Sequence, residues 1–175
     1  MKRYILLTLT VVAMTFAANA QTVEKVDADA KAQLAAALDS YYAVKDALVD
    51  SNAEAASSAA DKLVEKLAAV DDTKLTAAQN AVWTKRSVAL KKDASHINKN
   101  KEIVHQREHF ETLSINMYAV IKAIAANSAD VYLHYCPMRK ASWLSESKEV
   151  KNPYYGKKML DCGDVKATLK PSAAN

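Results

Sequence analysis

Residues 103–124, IVHQREHFETLSINMYAVIKAI, decide how this chain is read. Ile103, Gln106, Phe110, Leu113, Met117, Ile121 and Ile124 recur every three or four positions, which draws a mostly apolar stripe down one side of an α-helix. This is the cleanest seam in the sequence. Asn98-Lys99-Asn100 interrupts the pattern before it, and upstream Trp83, Ser87, Leu90, Ala94 and Ile97 form a second stripe at helical spacing. That helix opens on Thr76 and Gln79, which have the spacing of a capping box.

Further towards the amino terminus, Asp71-Asp72-Thr73 breaks an alanine-rich helix running from Ala53 to Val70, with Ala56, Ala60, Leu63, Leu67 and Val70 on its inner face. Small residues there let a neighbouring helix approach closely. Asp50-Ser51-Asn52 supplies the preceding turn and cap, and Asp27 to Asp50 reads as the first helix, with Leu34, Leu38, Tyr41 and Leu48 on one face. From Gln21 to Tyr135 there is no Gly, Pro or Cys. Four helices joined by short turns pack antiparallel as an up-down bundle. The expected fold class is therefore all-α: a four-helix up-down bundle over about 27–129, with an irregular Cys/Met/aromatic segment, about 131–165, packed on it. The tail, 166–175, reads as disordered.

The first twenty residues carry Lys2 and Arg3, an apolar run from Ile5 to Phe16, and Ala18-Asn19-Ala20. This is the layout of a secretory signal peptide, with a run too short for a membrane span. The expectation is export to the periplasm and no membrane span after cleavage, leaving 21–175 as one helical domain. Removing Lys2 and Arg3 from the 24 basic residues leaves 22 against 20 acidic ones. A near-neutral exported chain without a basic stripe is a poor nucleic-acid binder.

Residues 134–163, HYCPMRKASWLSESKEVKNPYYGKKMLDCG, contrast with the bundle, because they hold both cysteines, both glycines and two of the three prolines. Val131, Leu133 and Tyr135 alternate with Tyr132, His134 and Cys136, which permits a short extended piece, and Pro137 forces Cys136 away from helical geometry. Trp143, Tyr132, Tyr135, Tyr154 and Tyr155 make an aromatic cap in any case. Cys136 and Met138 form a C-x-M pair beside His134, and Met159 and Cys162 an M-x-x-C pair. Thiolate and thioether are soft donors suited to Cu(I). The ordinary alternative for an exported chain is a Cys136 to Cys162 disulfide, which contributes about 3 to 4 kcal/mol in the chain-entropy model.

His105 and His109 lie one helical turn apart, a usable chelate spacing, but no HExxH is present and both sit off the seam. His96 is in the same position. The plain alternative for all three is solvated histidines on a polar face. Enzyme chemistry finds no nucleophile elbow, phosphate-cradling glycine loop or acid/base dyad, so the expectation is a protein that is not an enzyme.

The set His105-Gln106-Arg107 with Phe110, Leu113 and Ser114, then Tyr135-Cys136-Pro137-Met138, Trp143-Leu144-Ser145, Asn152-Pro153-Tyr154-Tyr155-Gly156 and Met159-Leu160-x-Cys162-Gly163 resembles a bacterial family of exported domains of unknown function. Members stand alone or are fused to periplasmic membrane-fusion subunits of copper/silver efflux systems. Tyr-Cys-Pro-Met also looks like the heavy-metal motif of copper pumps and efflux adaptors, which usually continues with His-Pro; here Arg139 and Lys140 follow and one expected ligand is missing. The resemblance implies periplasmic copper or silver handling, with Cys136, Met138, Met159 and Cys162 as principal ligands. His134, His105 and His109 complete the candidate set. The expected cargo is a copper ion, Cu(I) above others, and the expected partner a periplasmic efflux adaptor. The competing expectation is a metal-free envelope interaction module cross-linked by Cys136 and Cys162.

Overall fold

The computed structural model describes residues 26–172, so the leader read at 1–20 lies outside the described residues. Four helices form the body: α1 (Ala28–Val49), α2 (Ala53–Ala68), α3 (Ala77–Lys99) and α4 (Ile103–Ile124). Each of the first three starts where a side chain accepts from the free amides of the first turn. Asp27 accepts from Asp29 and Ala30, and Asn52 from Ala55. Thr76 and Gln79 satisfy each other's backbone reciprocally. α4 ends at Ala125, whose backbone turns into the left-handed region at φ 54°.

The stripes read from the sequence meet in one core. Leu34 and Leu48, Leu63 and Leu67, Leu90 and Ile97, and Phe110, Leu113, Met117 and Ile121 are all fully buried. Gln106 is buried too, and its amide nitrogen faces the carbonyls of Ala53, Ile97 and Asn100 at 2.9, 3.1 and 2.8 Å. A polar residue in an apolar seam thus ties three helix ends together.

The all-α expectation is overturned by the carboxy-terminal segment. It folds into a three-stranded antiparallel sheet of β1 (Val131–Cys136), β2 (Ala141–Ser145) and β3 (Asp164–Leu169), in the order β2-β1-β3. The physical reason is backbone accounting: a segment held against a core must satisfy its buried N–H and C=O groups, and a ladder does so. The alternating piece at 131–136 was visible in the sequence, but its partners were not. β2 is short, and β3 is mostly exposed, so neither carries a clear alternation of apolar and polar residues. Residues 166–169, expected in a disordered tail, are part of β3.

The sheet lies along the seam between α1 and α4, which touch each other sparsely while β2 packs on α4. The outer edge of β2 is closed by two phenols instead of a fourth strand. The Leu144 N–H donates to Tyr41 Oη at 3.1 Å, and Tyr154 Oη donates to the Ser142 carbonyl at 2.6 Å. Trp143, Tyr154, Phe110 and Tyr41 follow one another ring to ring, with centroids 6.0, 5.9 and 5.1 Å apart. Arg107 of α4 fastens the next loop, donating to Pro153 O at 2.8 Å and to Leu48 O at 2.9 Å. Gly156 sits beside it at φ 57°, where an added Cβ would lie 2.7 Å from the Val49 carbonyl oxygen. Glycine is required there by both conformation and space.

Tyr41 Oη also shares a 2.7 Å hydrogen bond with Ser114 Oγ of α4. Tyr41→Phe keeps the ring and leaves the buried Leu144 N–H without an acceptor, a loss of about 1–3 kcal/mol. Urea denaturation is expected to show this cost, and amide exchange at Leu144 is expected to accelerate more than exchange in α2.

Candidate functional site

The β1–β3 ladder brings the two cysteines together. Tyr135 pairs with Asp164, so the residues just after Tyr135 and just before Asp164 lie side by side. Cys136 Sγ and Cys162 Sγ, 26 positions apart in sequence, are 3.1 Å apart in space. Asn152 organises the loop that delivers Cys162. This fully buried residue donates from Nδ2 to the Cys162 carbonyl at 2.6 Å, and its Oδ1 accepts from the Tyr154 N–H at 2.8 Å. Its backbone N–H reaches Leu160 O. The loop therefore closes on a single asparagine.

The surroundings of the two sulfurs make them unequal. Burial raises the Cys136 thiol, but donors outweigh it: the Arg139 amide at 3.5 Å, the Cys162 thiol, the Asn152 side chain and the Met138 amide leave it below its ordinary value. Cys162 is pushed up, chiefly because its proton is held by hydrogen bonding to Cys136 and then by burial. Cys136 is thus the sulfur that ionises first, with Cys162 as its donor. Hydrogen bonds to an anionic sulfur favour that anion. Met138 and Met159 stand at the surface of the same two turns, 64% and 36% exposed. Both side chains are thus reached by solvent.

His134 belongs to the sheet. Its Nε2 donates to the Ser147 carbonyl at 2.9 Å, and its ring stacks on Trp143, centroids 5.1 Å apart. The residue is fully buried and Nδ1 has no hydrogen-bond partner among the described residues. Burial accordingly holds its pKa below the ordinary histidine value.

His105 and His109 face the other way. Arg107 reaches the carboxy-terminal loop, and at about 100° per residue it projects roughly 160° from both histidines. The histidines instead meet α3. His109 Nδ1 lies 3.0 Å from Asp93 Oδ1, and His96 and His105 complete a cluster whose ring centroids are 4.4 to 6.3 Å apart. One ligand nitrogen from each of the three lies within 4.8 Å of the others. Neither the single seven-residue ligand set nor three separately solvated histidines describes this arrangement. The candidate residues divide into a sulfur pair beside the sheet and an imidazole cluster on the α3–α4 hairpin.

Asn152, Asp93 and the third imidazole, His96, were not singled out as site residues by the sequence reading. A usable signal existed for the last two. In a helical hairpin centred near residue 101, positions 96 and 105, and 93 and 109, are equidistant from the turn and therefore neighbours.

The sequence matches the family described as "Protein of unknown function (DUF3347)" over residues 37–129. The chain belongs to this family. The DUF3347 match runs from within α1 to just past α4, so the imidazole cluster lies inside it and the sheet with its cysteines lies beyond. No curated protein and no solved structure gives a match. Among the described residues no helix is long and apolar enough to cross a membrane.

The His134 environment sets a pH dependence. The unfolded chain takes up a proton near pH 6.5, whereas folded His134 resists it because an N–H at Nδ1 would be buried without an acceptor. Stability contributed by the neutral ring is full above about pH 6.5 and is lost as pH falls from there through the depressed folded value, with a slope of at most about 1.4 kcal/mol per pH unit. Urea midpoints measured between pH 7.5 and 5 are expected to fall less steeply in His134→Gln than in the unsubstituted protein.

Proposed function

We propose that this protein is a periplasmic heavy-metal binding protein that buffers Cu(I), or the similarly soft silver ion, and passes it to an efflux adaptor. The observation that carries the reading is the sulfur pair: two thiols far apart in sequence lie 3.1 Å apart, one of them favoured as the anion, with two exposed thioethers on the adjoining turns. Soft donors of this kind select Cu(I) over harder ions. Cys136 and Cys162 serve as the strong ligands. Met138 and Met159 serve as adjustable ones that a partner's thioether or thiolate displaces during transfer. The resemblance of the Tyr135 to Met138 stretch to copper-pump and adaptor motifs supports the direction of transfer and the exported location.

The same proximity favours one other reading, a structural disulfide in a metal-free envelope interaction module, since an oxidising compartment drives adjacent thiols to a bridge. The two readings separate cleanly. Thiol trapping of the protein as it leaves its native compartment is expected to find both cysteines reduced or metal-bound. The reduced protein is expected to bind one Cu(I) in competition with a chromogenic chelator. Met159→Leu keeps volume and apolar character, so stability changes by less than about 1.5 kcal/mol, while Cu(I) affinity falls on the order of tenfold, equivalent to about 1.4 kcal/mol. Cys162→Ser nearly abolishes binding. A native Cys136–Cys162 bridge, together with Cu(I) affinity that ignores both methionines after reduction, overturns the metal reading in favour of the cross-linked module.

A further inference from the structure

The α3–α4 hairpin carries a cluster that the sulfur chemistry does not use. His96 stands near the end of α3, and His105 and His109 occupy the first turns of α4, so the short connection folds three imidazoles into a triangle. One nitrogen from each ring lies within 4.8 Å of the other two. A tetrahedral ion held at about 2.0–2.1 Å from each nitrogen needs them about 3.4 Å apart, so the widest separation closes by at most about 1.4 Å, a distance within the reach of imidazole side-chain rotation.

The triangle has support behind it and space in front. His109 Nδ1 donates to Asp93 Oδ1 at 3.0 Å, and Thr112 Oγ1 donates to Asp93 Oδ2 at 2.7 Å. The carboxylate is nearly buried, 7% exposed, and is held at both oxygens. This fixes the ring of His109 and leaves Nε2 as the free lone pair, the carboxylate–histidine arrangement that orients metal-bound imidazoles. In front, an open pocket of about 400 Å³ is lined by His96 and His105 with Ser95, Asn100, Lys92 and Lys99. A fourth ligand from solvent has room there, and the two lysines favour an anionic one.

We propose that His96, His105 and His109 form a second metal site, separate from the sulfur pair, that takes a divalent borderline cation such as Zn(II) or Cu(II) with one coordination position left to solvent. Imidazole suits these ions, whereas thiolate and thioether suit Cu(I). The protein then carries two sites of different softness on opposite sides of α4, and Asp93 acts as a positioning residue for His109.

The test uses the full chain carrying Cys136→Ser and Cys162→Ser, with Zn(II) alone as the probe in calorimetric titration and Co(II) absorption as a second probe. One equivalent of Zn(II) and a four-coordinate Co(II) spectrum are expected. His96→Ala, at an exposed position, is expected to weaken Zn(II) at least tenfold with an unchanged helical circular-dichroism spectrum, and Asp93→Asn to weaken it on the order of 10- to 100-fold. Where the serine variants fail to fold, long-range imidazole nitrogen spectra of the unsubstituted protein give the answer directly. On adding Zn(II), the ring nitrogens of His96, His105 and His109 are expected to shift together while those of His134 stay. Absence of Zn(II) binding, binding indifferent to His96→Ala, or a Zn(II) response confined to the cysteines overturns the proposal. None of these outcomes depends on whether the sulfur pair binds Cu(I).

Discussion

The phenol of Tyr41 is the point on which the two halves of this molecule depend. Its oxygen accepts from the Leu144 N–H at the outer edge of β2 and shares a hydrogen bond with Ser114 of α4. One hydroxyl therefore joins α1, α4 and the sheet in a buried place where water cannot substitute. Burial raises its pKa, so it stays a neutral donor and acceptor throughout the physiological range. An exposed sheet edge is ordinarily a liability. Here Tyr41 and Tyr154 close it, and the closure is what seats the sheet in the α1–α4 seam. The strand ladder that sets Cys136 beside Cys162 is thereby held to the bundle.

Helix α4 divides the chemistry. Its apolar stripe faces the bundle, Arg107 and Glu111 reach the carboxy-terminal segment through Pro153 and Arg139, and His105 and His109 turn towards α3. Residues four apart stay together on a helix, whereas residues two apart point in nearly opposite directions. The two donor clusters are consequently kept from merging by the helix itself. Soft sulfur donors and borderline nitrogen donors therefore lie on separate surfaces of the molecule.

The loop from Asn152 to Cys162 shows how little regular structure is needed to deliver a side chain. Asn152 satisfies backbone donors at one end and the Cys162 carbonyl at the other, and Gly156 lets the chain pass against Val49 and Arg107. A buried asparagine with both amide ends occupied behaves as a clamp, because leaving either end unmatched carries a desolvation cost.

Periodicity, caps and breakers determined the helices by themselves. The seam from Ile103 to Ile124, the Thr76–Gln79 box and the Asn52 cap rest on contacts within a turn or two, which the local sequence encodes. Composition also singled out the cysteines and methionines as chemically distinct. What only the tertiary structure decided was long-range. β2 and β3 are short strands whose hydrogen bonds go to partners they do not announce; their stability comes from β1, Tyr41 and Tyr154. The 3.1 Å approach of Cys136 to Cys162 follows from that ladder, and the joining of His96 to His105 and His109 follows from how a hairpin closes. His134 looked like a ligand because it adjoins Cys136 in sequence, yet the carbonyl of Ser147 and the ring of Trp143 engage it. Neighbours along a chain share local geometry, but the partners of a buried side chain are chosen by elements that arrive from elsewhere.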